Sequence, residues 1–355
     1  MKTFNFSAGP AALPLPVRAR LAEALSPDPR GMPSVAEISH RGARFSEIAE
    51  ELMARLRVLT GVGAEHEILL LHGGANLQFA WLPMNLAAGR RSGYVLTGHW
   101  GEKALAEARR VGAAEAVASS AAGGFVDLPE LGHLPVDCAY LHYTGNETIH
   151  GVQYPTPPAV GVPLAADLSS EFLSRPYPYD ALGFAYAGAQ KNLGIAGLTV
   201  VLIRRDLLER IPDGLPRYLD YRTWVSSGSM YNTPVTLAWY VALEVLRWIE
   251  DSGGLDWLGR RNAARASRLY AFLDGSDFWS NPVAEHCRSV MNVPFFPADQ
   301  GLTMTAVAAA EQAGLIGLKG HRALGGLRAS LYNALDDDAV EILIDFLKEF
   351  ERSRS

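Results

Sequence analysis

Cysteine is scarce. Cys138 and Cys287 are the two in 355 residues, too few for a disulfide framework, and neither a Cys-x-x-Cys nor a His-Glu-x-x-His spacing occurs. That usage fits a reducing compartment, and no metal ligand set is assigned. Long apolar runs are missing as well. The most hydrophobic stretch, 195–203, is too short to cross a bilayer. The N-terminal Met-Lys-Thr-Phe-Asn-Phe-Ser-Ala-Gly-Pro lacks the apolar core of a secretion signal. No dense basic run appears and the formal net charge is −6, which argues against nucleic acid as a partner. Internal repeats and low-complexity tracts are absent, which sets aside solenoids and disordered linkers. A soluble, cytoplasmic protein without membrane or nucleic-acid partners is expected.

What is present is apolar content, 48% of the chain, enough for at least one large core. The length suggests two domains, or one large domain with an appendage. Strand-like stretches are predicted at 67–71, 94–97, 114–118, 138–143, 162–166, 183–187 and 199–203. Helical stretches alternate with them, including 45–59, where Ile48, Leu52, Leu56 and Leu59 share one face. This alternation predicts an α/β fold, a mainly parallel sheet sandwiched by helices. A short helix over 17–25 is broken by Ser26-Pro27-Asp28-Pro29-Arg30-Gly31. After Arg217 the pattern changes to a polar loop over 224–233 and a helix over 234–249. Asp251-Ser252-Gly253-Gly254 marks the expected boundary. Further elements at 289–296, 303–312, 327–332 and 337–350 describe a smaller α+β unit. The expected division is a large domain over 16–252, and a small one made of 1–15 and 253–355.

Certain residues stand out for chemistry. Lys191 is the single lysine in a run of small and apolar residues, and a desolvated lysine offers a nucleophilic amine near neutral pH. Gly73-Gly74-Ala75-Asn76, between a strand and a helix, can turn backbone N–H groups toward an anion. Trp100 falls at the carboxyl end of a strand, where open α/β sheets keep ligands, and can stack on a planar ring. Asp167 ends an apolar strand, so its charge needs a cation or a helix to cap. Asn146-Glu147-Thr148 adds polar groups at the same rim. Two His-Arg pairs, His40-Arg41 and His321-Arg322, together with Arg328, suit a doubly charged anion if they converge. Each feature also has a plainer reading: a solvated loop lysine, a steric turn, a packing tryptophan, a cap, scattered surface charge. Together, an anion cradle, an aromatic plate, a carboxylate and a lysine at successive strand ends are what a pyridoxal phosphate site needs.

With these stretches in view, the chain resembles the pyridoxal phosphate-dependent aminotransferases of the aspartate aminotransferase fold family. The resemblance runs nearly end to end. It is carried by Asn5-Phe6-Ser7-Ala8-Gly9-Pro10, Ser39-His40-Arg41-Gly42, His72-Gly73-Gly74, Asn146-Glu147-Thr148-Ile149 and Ala187-Gly188-Ala189-Gln190-Lys191-Asn192. Gly228-Ser229-Met230-Tyr231-Asn232-Thr233-Pro234 follows, and then Lys319-Gly320-His321-Arg322 through Gly326-Leu327-Arg328-Ala329-Ser330. It implies a fold-type-I large domain with a seven-stranded sheet, and pyridoxal 5'-phosphate joined to Lys191 as a Schiff base. It also implies that Asp167 faces the pyridine nitrogen, Trp100 stacks on the ring and Thr148 bonds near the ring oxygen. Ala75, Asn76 and Gln190 are implied in holding the cofactor phosphate, with Asn232 and Thr233 reaching it from the partner of a homodimer with shared sites. His40, Arg41, His321 and Arg322 resemble contacts for a substrate phosphate or distal carboxylate, and Arg328 the clamp on the α-carboxylate. The implied substrates are a small phosphorylated amino or keto acid, with glutamate or 2-oxoglutarate as the other pair. Serine synthesis is the implied setting, with a phosphohydroxythreonine of vitamin B6 synthesis as a further substrate. Asn76 stands where some relatives carry arginine, so a phosphate contact there is expected from backbone N–H or the side-chain amide, and Ala8 stands where some carry serine, so no hydroxyl contact is expected from it.

Other readings lead elsewhere. An alanine- or serine-glyoxylate transaminase has the same fold. Cysteine desulfuration needs a mobile nucleophilic cysteine, which neither Cys138 nor Cys287 is placed to be. A binding protein without catalysis has no use for Lys191 and Asp167.

Overall fold

The computed structural model describes residues 2–26 and 31–354. The helix break expected over Pro27 to Arg30 lies outside the described residues. In chain order the elements are β1 (Phe4–Asn5), α1 (Leu15–Leu25), α2 (Ala43–Thr60), β2 (His66–His72), α3 (Gln78–Leu86), β3 (Ser92–Leu96), α4 (His99–Val111), β4 (Ala114–Ser119), β5 (Leu141–Thr144), β6 (Leu164–Asp167), β7 (Phe184–Gly188) and β8 (Leu198–Arg204). They continue with α5 (Arg205–Leu208), α6 (Tyr221–Ser226), α7 (Thr236–Asp251), α8 (Gly254–Asp274), β9 (Trp279–Ser280), β10 (Asn292–Pro297), α9 (Thr303–Gln312), β11 (Leu315–Ile316), β12 (Leu327–Ser330) and α10 (Ala339–Arg352).

Seven strands form one sheet in the order β2-β8-β7-β6-β5-β3-β4. β8 runs antiparallel to β2 and to β7, and the remaining pairs are parallel. This direction pattern brings the carboxyl ends of β2, β3, β5, β6 and β7 to one rim. Alternate residues along a strand face opposite sides. Ile68 and Leu70 of β2 accordingly join a core with Leu52 and Leu56 of α2 and Trp239 of α7. Leu69 and Leu71 join a second core with Phe79 and Trp81 of α3 and Trp224 of α6. β5, β6 and β7 are buried along their whole length, as a sheet covered on both faces requires.

A third core gathers Leu269, Trp279, Val293, Phe295 and Leu343 with Phe4 and Phe6 from the N-terminal arm. β1 pairs in parallel with β11, and β12, β10 and β9 form an antiparallel sheet. The chain thus returns its first residues to its last hundred.

Some expected boundaries move for local reasons. β6 begins at Leu164, because Pro163 has no N–H for the ladder and supplies only its carbonyl, to Leu141 N at 2.9 Å. The regular part of the strand expected over 138–143 is Leu141–Thr144. The polar loop expected over 224–233 begins inside α6, and Trp224 is fully buried. Its Nε1 donates to Tyr218 O at 2.9 Å and its ring sits 5.7 Å from that of His72. Helix α7 starts two residues beyond Pro234, at Thr236.

Candidate active site

Lys191, Asp167 and Thr148 follow or end strands at the shared rim. After β7 the chain turns through Gly188-Ala189-Gln190-Lys191 and comes back as β8, closed by Gly194 N to Ala189 O at 2.7 Å and Ala189 N to Leu198 O at 2.9 Å. Gly197 makes the last bend at φ 104, a left-handed conformation suited to glycine. Its carbonyl accepts from Gly73 N at 3.1 Å, which ties this turn to the one after β2.

Lys191 is half-buried and its Nζ donates to Thr148 Oγ1 at 2.9 Å. Burial brings its ammonium down to about 8, with nearby Arg328 adding to the effect against the opposing charges of Asp167 and Glu147. Asp167 closes β6 and is buried, with Oδ1 accepting from Ser169 N at 2.9 Å. Burial raises its carboxyl above the ordinary range, while Lys191 and the hydrogen bonds from Ser169 and Tyr186 pull it back. The turn-capping bond occupies one oxygen, and the residue still lines the cavity beside Lys191.

That cavity has a volume of about 710 Å³, within the range of small-molecule sites, roughly 300–1,000 Å³. Among the residues expected at the site, it collects Lys191, Asp167, Trp100, Thr148 and Gln190. The turn Ala75-Asn76 and, from the C-terminal part of the chain, His321 and Arg328 line it too. Ala8, Gly9 and Pro10 of the N-terminal arm complete one wall. Ala8 contributes no hydroxyl, and its carbonyl accepts from Tyr332 Oη at 2.8 Å. Arg328 is buried on β12, its guanidinium pushed down by burial, and its Nε has no partner among the described residues. The Trp100 Nε1 is likewise buried and unpartnered.

His40, Arg41, Arg322, Asn232 and Thr233 do not line this cavity. Arg41, Arg322, Asn232 and Thr233 are exposed and His40 is half-buried. The two His-Arg pairs therefore do not converge within the chain; only His321 and Arg328 reach the site.

Glu147 was not anticipated as more than a polar loop residue. It is fully buried, and its carboxylate accepts from Trp100 N at 3.1 Å and Gly101 N at 2.9 Å. It thereby caps the first turn of α4, which has no capping side chain of its own. Burial pushes it up to about 7, against those two backbone bonds. The signal in the sequence was weak: an acid after a strand says nothing about a helix end 46 or 47 residues earlier. The cysteines lie elsewhere. Cys138 donates to Tyr140 O at 3.1 Å, and burial pushes the Cys287 thiol up to about 11, so neither offers a ready nucleophile.

The arrangement fits pyridoxal phosphate. A backbone turn at Gly74-Ala75-Asn76 can receive a phosphate, a buried carboxylate can hold a protonated ring nitrogen, and an indole and an amine of lowered pKa share the same cavity.

Similarity to known proteins agrees with this geometry. The aminotransferase class-V family model matches residues 3–343. A phosphoserine aminotransferase of Azotobacter vinelandii is 47% identical over 99% of this chain and 98% of its own length. A structure of phosphoserine aminotransferase from Bacillus circulans subsp. alkalophilus superimposes with a TM-score of 0.96 at 44% identity, covering 100% of this chain and 99% of that one. A pyridoxal phosphate-bound phosphoserine aminotransferase from Trichomonas vaginalis gives 0.92 at 38% identity, over 98% and 100% of the two chains.

Proposed function

The chain belongs to the aminotransferase class-V family, and from that premise we propose that it interconverts 3-phosphooxypyruvate plus L-glutamate and O-phospho-L-serine plus 2-oxoglutarate. The observation that carries this reading is a single cavity holding Lys191, Asp167 and Trp100 together with His321 and the cationic Arg328, in a chain so close to phosphoserine aminotransferases over its full length.

Bound there, pyridoxal phosphate supplies a carbonyl that condenses with amines and a ring that takes up the electron pair left at the substrate Cα. The chain's own groups do the rest. Lys191 Nζ, half-buried and poorly solvated, takes the proton from Cα and returns it, as general base and then acid. Asp167 keeps a proton on the ring nitrogen, since its carboxylate gains a cationic partner that offsets burial. Trp100, which lines the cavity, would stack on the ring and keep water from it. Thr148 Oγ1, which accepts from Lys191 Nζ, would also be within reach of the ring. Ala75, Asn76 and Gln190 hold the cofactor phosphate. Arg328, with an unpartnered buried Nε, holds the α-carboxylate bidentately.

A homodimer with shared sites belongs to the same reading. Arg41, Asn232 and Thr233 are exposed and outside their own chain's cavity, His40 is half-buried and also outside it, and such positions suit residues that reach a partner's site. His40, Arg41, His321 and Arg322 then serve the substrate phosphate or the distal carboxylate of glutamate, and Asn232 and Thr233 the cofactor phosphate. The division into 16–252 and 1–15 plus 253–355 is supported by the pairing of β1 with β11 and by the separate third core. No described helix is long and apolar enough to cross a membrane; a cytoplasmic setting is the location proposed.

The test is a panel of amino donors with 2-oxoglutarate as acceptor. Phosphoserine is expected to exceed serine and alanine in kcat/KM by at least about a hundredfold, because the phosphate contacts are charge-assisted. Phosphohydroxythreonine belongs in the same panel as a second phosphorylated donor. Preference for an unphosphorylated donor overturns the assignment in favour of a glyoxylate-type transaminase.

A further inference from the structure

Away from the cavity, three side chains of metal-ligating type meet where the loop after β4 packs against the short turn before β10. Asp127 Oδ1 lies 3.0 Å from His286 Nε2 and 3.7 Å from Cys287 Sγ. The three ligand atoms lie within 4.8 Å of one another. Transamination as described above uses none of them.

The backbone builds this meeting. Ala284 N donates to Val126 O at 2.8 Å, and a single 3-10 turn over Glu285–Cys287 presents the imidazole and the thiol together. Leu128 N donates to Asp127 Oδ1 at 2.7 Å and fixes the carboxylate. Just before it, Phe125 holds φ 59, a left-handed conformation that bulky residues seldom adopt, and its ring packs edge-on against His150 at 5.0 Å. The loop is thus turned toward 284–287 by packing, independently of any ion.

We propose that Asp127, His286 and Cys287 form a binding site for one divalent cation of the zinc class, outside the catalytic cavity. Carboxylate oxygen, imidazole nitrogen and thiolate sulfur are the ligand types zinc takes, at roughly 2.0–2.3 Å from the metal. Tetrahedral bonds of that length put ligand atoms about 3.3–3.7 Å apart. The O–S separation of 3.7 Å lies at the upper end of that range, the O–N separation of 3.0 Å is shorter than it and no pair exceeds 4.8 Å, so rotation of the exposed Asp127 and His286 side chains completes the set. Asp127 and His286 are exposed and leave the fourth position to water, while Cys287 is buried beneath them. On binding, the S–metal bond replaces the S–H bond and the proton leaves to solvent. The ligands come from stretches far apart in the chain, so no sequence spacing announces them.

Such a cation joins the 125–128 loop to the 284–288 segment. Cys287 O accepts from Gln153 N at 2.8 Å, and Val152 pairs with Arg288 in an isolated bridge. The cation therefore braces, from behind, the 146–153 stretch that carries Glu147 and Thr148.

The test titrates the chelator-stripped holoenzyme with Co²⁺. Wild type is expected to develop the d–d absorption of tetrahedral cobalt, at longer wavelength than the cofactor, saturating at one equivalent per chain and displaced by Zn²⁺. His286→Ala and Asp127→Asn alter exposed side chains, so these variants should fold, and each should weaken cobalt binding at least about tenfold. Cys287→Ser should remove the sulfur-to-cobalt charge-transfer band. Saturable binding that is unchanged in His286→Ala and Asp127→Asn, or no saturable binding to wild type at sub-millimolar cobalt, overturns the proposal.

Discussion

Lys191 can serve its role because burial brings its ammonium to about 8 from an ordinary 10.5. The neutral amine is the reactive form, so the apoenzyme should capture added pyridoxal phosphate faster as pH rises. The rate should climb about tenfold per unit below that pKa and level off above it. Stopped-flow capture across this range measures it; a rate still climbing well above pH 9 contradicts a desolvated lysine. Glu147 gives a second pH signature, of opposite sign. Its carboxyl is raised from 4.5 to about 7 in the folded state, so the native form holds the extra proton between those values. Its contribution to stability is full below 4.5 and is lost as pH rises through 7. Denaturant melts of the apoenzyme should show that decline, and Glu147→Gln should flatten it. Lys191 was legible in the sequence because one lysine among small apolar residues is conspicuous. Glu147 was not, because its work depends on a helix end that only the fold brings near.

Helix α4 presents Trp100 to the cavity from its first turn, and the Glu147 carboxylate holds that turn. Gly98 is where the two elements touch: a Cβ there would lie 2.6 Å from the Glu147 carboxyl carbon and 2.7 Å from His150 Nδ1. Glu147→Ala leaves the buried Gly101 and the half-buried Trp100 amide N–H groups without an acceptor and should lower stability by roughly 2 kcal/mol. It should also weaken cofactor binding about tenfold by freeing the indole, with Glu147→Gln intermediate. Cofactor titration and denaturant melts check both; an Ala variant with unchanged cofactor affinity contradicts the positioning role. At this scale the sequence was informative where burial on both faces makes a strand read as an apolar run, as in β7 and β8. It was silent on the two-residue strands β1, β9 and β11, which are too short to show a period, and on the antiparallel direction of β8. It misread the start of the 224–233 loop, since burial of Trp224 is decided by Trp81 from across the fold together with the nearby Tyr218.

The whole molecule, read as one chain, leaves its site short of basic groups. His321 and Arg328 line the cavity, whereas His40, Arg41 and Arg322 do not. If the chain forms a homodimer with shared sites, as proposed, two inactive variants should rescue each other. Coexpressed Lys191→Ala and Arg41→Ala chains, mixed at random, give heterodimers with one intact site each. Activity with the wild-type KM for phosphoserine should return to roughly a quarter of the wild-type level; no recovery contradicts shared sites. This level of organisation was visible only through resemblance, because nothing in a chain's own pattern says which residues face a partner. The most direct test of the account is a single half-reaction without keto acid. Phosphoserine added to the holoenzyme should bleach the absorbance of the lysine-bound cofactor and release one equivalent of keto acid per chain. 2-Oxoglutarate should restore the band, and Lys191→Ala should do neither. A band left unmoved by phosphoserine but bleached by serine or alanine would contradict the account.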